Sequence, residues 1–303
     1  MIDFVKCYLL DKNRFEDHVV NSKLIDLTMK FNQNTGEIEE FPKRGKDGNL
    51  DVVINKERAY VSGSIHKHYN ILHEKGNQNY DDFYYSQLES EIRGLIKKYR
   101  INKSTSFTNL EIGFNLIVNK DPKFILDNNI LMNNYKAPSK NLKFSGKGDY
   151  KDFQMTDYTI RIYNKSKQLK LDKNILRVEL KIKNKRFLHS LGVFELEDLL
   201  DKEVLKSLFR RLIEAIEGLI IVDVVCPENI PETDYTRIIS YTNPLYWINL
   251  KSTKSPKVNS RLKKAFINLL NKYELLNTKI QLLELLDNKF SELIEIDSFK
   301  DVA

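Results

Sequence analysis

Three short segments alternate between apolar and polar residues. Among the polar residues, two of the segments contain a glutamate and the third contains a tyrosine. Glu111 lies in segment 108–116, Tyr163 in segment 159–165 and Glu179 in segment 176–183. Side chains of a β-strand point alternately to its two faces, so each of these residues lies opposite a row of Leu, Ile, Val or Phe. If the three strands are neighbours, one sheet face presents two carboxylates, a tyrosine and several cations. The cations on this face are Arg161, Lys165, Arg177, Lys181 and Lys183.

These residue types suit phosphoryl transfer. Two carboxylates with water ligands suit a hard divalent cation, Mg²⁺ or Mn²⁺, which polarises a scissile phosphate. Arg and Lys neutralise the charge that develops on the phosphoryl oxygens. A tyrosine hydroxyl, with a usual pKa near ~10, is a weak nucleophile unless a metal or a cation activates it. An ordinary solvated strand face has the same composition, so alternation alone leaves both interpretations open.

The distribution of charge favours a polyanionic partner. The chain carries a net charge of +7, with a sequence pI of about 9.0. Residues 161–186 contain ten Lys or Arg against two acids, Asp172 and Glu179. A strand face that only meets solvent usually carries both positive and negative side chains. A face on which positive side chains surround a single carboxylate is suited to bind the phosphate backbone of a nucleic acid. Lys167 belongs to this basic set, and we predict that it binds DNA together with Arg161, Arg177, Lys181 and Lys183.

The segment 62–70, with the sequence SGSIHKHYN, contains a His-x-His pair. If the segment is a strand, His66 and His68 share one face, about 6.6 Å apart, and form a plausible metal pair. A structural or solvated role for the two rings explains the pattern equally well.

The hydrophobic periodicity predicts an α+β fold. Alternating segments predict a twisted, mostly antiparallel sheet, and 83–99 and 195–216 have the apolar spacing of helices packed on one face. A Pro-, Ser- and Lys-containing stretch near residues 242–256 predicts a boundary. We therefore expect a catalytic domain at residues 1–241 and a C-terminal helical module at residues 242–303.

Composition narrows the class of protein further. No window approaches the ~18 consecutive apolar residues of a membrane span, and the first residues lack a signal-peptide cleavage pattern. The two cysteines, Cys7 and Cys226, do not make a disulfide framework, and Cys7 has the setting of a core residue. These features predict a cytoplasmic protein with reduced thiols and no membrane partner.

Four segments, taken in order, resemble a known family. They read SGSIHKHYN, NLEIGFNL, IRIYNKSKQ and LRVELKIKNKRFLHSLG. Their order and spacing resemble filamentous-phage replication initiators of the gene II type and the plasmid rolling-circle initiators called Rep_trans, and Met1, Ile2 and Asp3 match the phage type. The similarity covers roughly residues 1–200 and is densest from 108 to 192.

The resemblance implies a diverged HUH-like endonuclease with a tyrosine nucleophile. Such enzymes cut one DNA strand at an origin, keep the 5′ phosphate on the tyrosine and later rejoin the strand. The phage-type tyrosine maps to Tyr163, followed by Lys165, and the acidic positions map to Glu111 and Glu179. Tyr158 and Tyr150 remain rival nucleophiles. In the plasmid-type initiators the tyrosine lies at a position that corresponds to Phe144 here, within residues 144–147. The ring of Phe144 has no hydroxyl.

Two further departures from the family affect the site. HUH enzymes carry His-hydrophobic-His, and here Lys67 stands between His66 and His68. The usual nucleophile motif is Y-x-x-K, whereas Tyr163 is followed by Lys165 and Lys167.

We therefore expect a metal-dependent nicking and joining enzyme that initiates rolling-circle replication of a phage, plasmid or integrated element. Its partners would be the replication origin, single-stranded or supercoiled, and host replication proteins. A non-cleaving origin-binding protein or repressor is the alternative, and it would tolerate loss of Tyr163. A structural or RNA-binding protein without a metal is a third interpretation.

Overall fold

The computed structural model describes residues 1–101, 105–139 and 148–295, and a nine-stranded antiparallel sheet dominates it. Residues 144–147, singled out above, lie outside this range. The strands are β1 (Ile2–Leu9), β2 (Thr28–Phe31), β3 (Ile38–Asp47), β4 (Leu50–Ile54), β5 (Ala59–Ser64), β6 (Thr105–Ile117), β7 (Ile130–Asn133), β8 (Tyr150–Gln154), β9 (Tyr158–Asn164), β10 (Ile175–Ile182) and β11 (Leu219–Ile221). The large sheet has the order β2-β3-β4-β5-β1-β6-β10-β9-β8, and β7 pairs with β11.

Helices complete the α+β architecture that the periodicity predicted. They are α1 (Lys12–Asn21), α2 (Ile65–Leu72), α3 (Tyr85–Tyr99), α4 (Pro122–Phe124), α5 (Lys165–Leu169), α6 (Lys185–Ser190), α7 (Lys202–Glu217), α8 (Glu232–Thr242), α9 (Pro244–Thr253), α10 (Pro256–Lys272) and α11 (Asn277–Glu295). A π-helical turn covers Ile125–Asn129, and 3-10 turns cover Leu196–Leu200 and Pro227–Asn229. Among the described helices, none combines the length and apolarity needed to cross a membrane.

The apolar face of the large sheet supports the main core. Ile112 and Phe114 of β6 and Leu180 of β10 are buried there against the apolar stripes of α3, α7 and α11. Cys7 is buried on the same side, as predicted. The opposite face of β6 and β10 is left for the polar side chains, because alternation places them there.

A second, smaller core joins α8, α9 and α10 to the two-stranded sheet. Trp247 and Phe266 are buried in it with Met132 of β7. The last helix, α11, instead packs Leu286 and Phe290 into the main core. The predicted domain division at residue 242 stays a prediction.

Several local predictions were wrong at the ends of elements. The helix expected over 195–216 is a 3-10 turn followed by α7, because the Asp201 side chain caps Glu203 N–H and starts a new helix. Strand β9 ends at Asn164, whose side chain caps α5, so Lys165 opens a helix instead of ending a strand. Strand β10 ends at Ile182 and Lys183 lies beyond it, exposed.

The strand expected through His66 and His68 was also wrong. Ser64 ends β5, and its hydroxyl accepts the Lys67 N–H and caps α2. Residues two apart on a helix are turned by about 200° around its axis, so the two rings cannot share one face. They reach different partners, as described below.

Candidate active site

The three segments that carry the predicted site are neighbours in the sheet. Strand β6 pairs with β10, and β10 pairs with β9. The register places Lys181 opposite Glu111, and it places Tyr163 opposite Arg177. The register therefore brings the two carboxylates and the tyrosine onto one sheet face together with Arg161, Arg177 and Lys181. Lys165 and Lys183, predicted on the same strand face, lie in α5 and beyond the end of β10.

A third carboxylate joins the two predicted ones. Asp3 of β1, Glu111 of β6 and Glu179 of β10 each offer an oxygen, and these oxygens lie within 4.8 Å of one another. Asp3 and Glu179 are buried, and Glu111 is partly exposed. Three oxygen donors at this separation form a donor set suited to Mg²⁺ or Mn²⁺.

From the sequence, Asp3 is named only as part of the phage-type start and is not assigned to the site, because its position depends on a β-bulge. Ile2 pairs with Ile112 and Phe4 with Glu111, so Asp3 is the extra residue of a β-bulge. A bulge shifts the side chains that follow it to the other face and re-aims the extra residue. An acid within an otherwise apolar strand start was the available signal, and it could not reveal the bulge.

Two cations hold the carboxylates in place. The Arg177 guanidinium donates to Glu179 through Nε at 2.6 Å and to Asp3 through Nη2 at 2.7 Å. The Lys181 Nζ bridges Glu111 at 2.8 Å and Glu179 at 3.0 Å. Arg177, predicted to contact DNA, is only 2 % exposed and also donates to Asn115 at 3.0 Å.

Polar neighbours complete the surroundings of Asp3. The Ser64 hydroxyl donates to Asp3 Oδ1, and the Asn79 amide donates to Oδ2 at 2.8 Å. Burial by itself would raise the pKa of Asp3, but the charge of Arg177 and these hydrogen bonds outweigh it and hold the pKa well below its usual range.

The pKa values of the two glutamates shift in opposite directions. Burial raises the pKa of Glu179, but Lys181 and Arg177 outweigh that effect and lower it. Burial and then the charge of Glu179 raise the pKa of Glu111, although Lys181 opposes the shift. Carboxylates that share a small site repel one another, and this repulsion moves their pKa values in opposite directions. A further cation bound among the carboxylates would reduce the repulsion.

Tyr163 lies against the cluster. Its hydroxyl donates to Glu179 Oε1 at 2.9 Å. Burial and the adjacent Glu179 charge raise the pKa of Tyr163 well above its usual value. The phenol is therefore held protonated here, and its activation requires a nearby positive charge.

Lys165 is a base of this site whose pKa lies near neutral pH. Its Nζ lies 5.6 Å from the centre of the Tyr163 ring and donates to Asn79 at 2.6 Å and Gln168 at 3.0 Å. Burial, followed by the charge of Arg177, lowers the pKa of Lys165 to about 7. A lysine with this pKa can both give and take a proton near neutrality.

A cavity of about 440 Å³ opens over these groups. It gives the three carboxylates, Tyr163 and Lys165 a common access, and Gly63, Gly148 and Asn77 form part of its wall. Its volume falls in the range of binding sites for small ligands or single nucleotides, roughly 300–1,000 Å³.

Close packing under the cluster depends on Gly113. A Cβ at this position would lie 2.8 Å from Glu179 Cγ and 3.2 Å from Arg177 Nη2. A glycine at position 113 of β6 therefore leaves the room that the Glu179 and Arg177 side chains of β10 occupy.

The rival tyrosines lie in different places. Tyr150 of β8 pairs with Tyr163 in the register and lines the same cavity. Tyr158 stacks on Phe187 with ring centres 5.7 Å apart, beneath the Arg211 guanidinium, and it does not line the cavity.

The two histidines have other hydrogen-bond partners than the carboxylate cluster. Burial lowers the pKa of His66, and the charge of Asp3, which reaches His66, opposes this shift. His66 Nε2 lies 2.8 Å from Asp81 Oδ1, and the His66 ring stacks on Phe83. His68 lies between Glu91 and Asp47, which raise the pKa of His68 to about 9 although burial opposes them. Within the described residues, neither histidine belongs to a group of three metal-ligating side chains.

The remaining predicted DNA-binding cations have acidic neighbours or lie at the surface. Arg161 makes a two-pronged ion pair with Asp152 at 2.7 and 2.6 Å. Lys167 pairs with Asp149 at 2.9 Å, and Lys183 is exposed. Their contact with DNA stays a prediction.

The comparison with solved structures found a loose likeness. No protein-family model matches the chain, and no curated protein matches it. A solved structure of a rolling circle replication initiator protein from Geobacillus stearothermophilus is similar over 69 % of this chain and 83 % of that one, with 14 % identity and a TM-score of 0.38. At that TM-score the likeness carries no weight for function, which is inferred below from the side chains alone.

Proposed function

We propose that this protein is a metal-dependent DNA nicking and joining enzyme that initiates rolling-circle replication of a phage, plasmid or integrated element. Tyr163 is the nucleophile and forms a covalent tyrosyl-DNA intermediate. Asp3, Glu111 and Glu179 hold Mg²⁺ or Mn²⁺. The substrate is the replication origin, single-stranded or supercoiled, and host replication proteins extend the released end.

One observation carries the proposal. The Tyr163 hydroxyl is hydrogen-bonded to Glu179, which is itself a member of the three-carboxylate cluster. A nucleophile and the donor set for a divalent ion thus share one carboxylate at the floor of an open cavity. A tyrosine on a solvated strand face would have neither the burial nor this partner.

The donor set fits a divalent ion. Lys181 Nζ already occupies a cation position between Glu111 and Glu179. Lys181 lines the cavity, and binding of the metal would require its side chain to turn into the cavity and leave both carboxylates to the ion. When bound, the ion would withdraw charge from the scissile phosphate and from the phenol oxygen.

The protein side chains account for the proton balance. The Tyr163 oxygen bonds to the phosphorus as its proton leaves by way of Glu179 to the solvent of the cavity, and the bond from phosphorus to the 3′ oxygen breaks. Lys165 gives its proton to that oxygen, which leaves as the 3′ hydroxyl. The reverse steps rejoin a strand, with Lys165 taking the proton from an incoming 3′ hydroxyl.

The test is formation of a denaturant-resistant protein–DNA adduct. Purified protein is incubated with Mn²⁺ and labelled single-stranded oligonucleotides that carry a random central segment, so that no origin sequence is assumed. We expect an adduct with the wild type and with Tyr158→Phe, and none with Tyr163→Phe. An adduct that survives Tyr163→Phe but not Tyr150→Phe would reassign the nucleophile to the other tyrosine of the cavity.

A second candidate function is origin binding without cleavage. The raised pKa of Tyr163 and the occupation of the carboxylates by Arg177 and Lys181 favour it, because these contacts stabilise a resting site. This candidate predicts DNA binding with no adduct at any metal concentration, and binding that is unchanged in Tyr163→Phe.

A further inference from the structure

Residues 235–273 form a second basic segment, in addition to the basic residues 161–186 around the candidate active site. The whole chain has 49 Lys and Arg against 42 Asp and Glu. Residues 235–273 hold eight of the basic residues and no acidic residue, so the other 264 residues carry 41 bases and 42 acids. The segment, which forms most of α8, α9 and α10, therefore carries a net charge of +8, as large as that of residues 161–186 with their ten bases and two acids.

Three of these eight cations are engaged within the protein. Arg237 and Lys272 approach Asp234 at 3.8 and 2.9 Å, and Lys263 lies over the Tyr135 ring at 4.4 Å. The other five are exposed and have no acidic partner among the described residues. We call these five the basic surface: Lys251, Lys254, Lys257, Arg261 and Lys264.

The basic surface has a regular geometry. Lys257, Arg261 and Lys264 are spaced four and three residues apart on α10, so they form one stripe about 10 Å long. The opposite side of α10 is anchored in the second core by Phe266 and Leu270. Lys251 and Lys254 precede the stripe at the end of α9. The charges thus project from a rigid support, which limits the entropy lost when they bind.

We propose that the basic surface binds the phosphate backbone of duplex DNA, independently of the carboxylate site. A single-strand site would offer exposed aromatic rings for base stacking. The exposed large apolar side chains of this segment are Ile239, Leu245 and Ile248, all aliphatic. The choice of DNA over RNA rests on the proposed function, in which duplex flanking the nick must be held.

A lipid surface is the competing polyanion, and the packing of α10 disfavours it. An interfacial helix places a free apolar face next to its cations. The apolar face of α10 is buried inside the protein, and the exposed aliphatic side chains belong to α8 and α9. The three cations of α10 therefore lie on a helix without an exposed apolar face, whereas Lys251 shares α9 with the exposed Leu245 and Ile248.

The test compares two triple variants that lose the same charge. The first is Lys257→Ala, Arg261→Ala and Lys264→Ala. The matched control is Lys30→Ala, Lys56→Ala and Lys97→Ala, three exposed lysines outside the segment. Affinity for a labelled random-sequence DNA duplex is measured by fluorescence anisotropy over a range of salt concentrations, with EDTA present so that nicking plays no part.

We expect the first variant to lose at least about tenfold in affinity. The slope of log affinity against log salt should fall by about 2.7, which is 0.9 for each lost phosphate contact. The control should stay within about twofold of the wild type, and both variants should melt at the wild-type temperature.

Three outcomes would overturn the inference. Equal losses in the two variants would show that only bulk charge matters. A loss with single-stranded DNA but not with duplex would point to a strand-binding site. A loss of binding to phosphatidylserine vesicles, with duplex binding intact, would point to a lipid surface. Failure of the adduct assay alone leaves this result unaffected, because duplex binding is measured without metal.

Discussion

The hydroxyl of Tyr163 and the carboxylate of Glu179 are joined by a 2.9 Å hydrogen bond between neighbouring strands. The bond connects the proposed nucleophile to the cluster of carboxylates that lines the cavity. Burial and this carboxylate together keep the phenol protonated. The predictions that follow test what each neighbour of this pair contributes.

Glu179→Gln should lower the pKa of Tyr163. Burial still raises that pKa in the variant, but the nearby negative charge is gone, so the phenol ionises at a lower pH than in the wild type. Titration of ring-¹³C-labelled tyrosine by NMR measures the change. Glu89→Gln, on the exposed side of α3, serves as the control. An unchanged Tyr163 titration would show that burial alone sets its pKa.

Asp3→Asn should weaken Mn²⁺ binding by about tenfold or more, because it removes one charged ligand of a three-carboxylate donor set. Calorimetric titration with Mn²⁺ measures the affinity. Asp149→Asn is a matched control, since Asp149 lines the same cavity without belonging to the cluster. His66→Gln should also keep the wild-type affinity. An affinity that depends on His66 and not on Asp3 would contradict the proposed site.

Arg177→Met should destabilise the fold by about 3–5 kcal/mol, because it leaves Asp3 and Glu179 buried without their shared cation. The exposed Arg210→Met on α7 should change the free energy of unfolding by less than about 0.5 kcal/mol. Urea unfolding measures both. The destabilisation should be smaller at acidic pH, because the two carboxylates that have lost their cation take up protons there. A destabilisation that does not depend on pH would argue against this explanation.

Lys165 should make stability depend on pH in the alkaline range. Its pKa is about 7 in the folded protein, against 10.5 ordinarily, so between these values the unfolded chain binds more protons. Its contribution therefore stabilises the fold as pH rises from about 7 to 10. In Lys165→Met the increase in the free energy of unfolding over this pH range should be smaller by about 1–2 kcal/mol than in the wild type. Urea unfolding at several pH values measures the increase. The exposed Lys97→Met should keep it.

The same pKa predicts the pH profile of cleavage. Lys165 must carry its proton to protonate the leaving oxygen, so the adduct-formation rate should fall as pH rises through about 7. In Lys165→Arg this inflection should disappear, because the guanidinium stays charged. Persistence of the inflection in that variant would assign it to another group.

Gly113→Ala should destabilise the protein by about 1–3 kcal/mol, because its Cβ would press on Glu179 and Arg177. Gly94→Ala in α3 is the matched control. A Cβ there meets open space, so this helix-interior change should stabilise by about 0.5–1 kcal/mol. Thermal unfolding of the two variants gives shifts of opposite sign, and shifts of the same sign would refute the packing role of Gly113.

Local periodicity was enough to predict much of the sheet and the polar face of its centre. Strict alternation in β6, β9 and β10 placed Glu111, Tyr163 and Glu179 on one face, because a strand sends successive side chains to opposite sides whatever it packs against. The helical periodicities of α3 and α10 were predicted for the same reason. The net charge and the basic residues at 261–264 were also evident from the sequence.

Only the tertiary structure decided how the site is completed. A bulge in β1 brings Asp3 to the glutamates, and a bulge depends on pairing with β6, which a single strand cannot reveal. The Ser64 cap places His66 and His68 on a helix instead of a strand, so the two rings face different partners. Burial converted Arg177 from a predicted DNA contact into an internal cation. Periodicity is a property of the local chain, whereas burial and ion pairing depend on which distant segments meet.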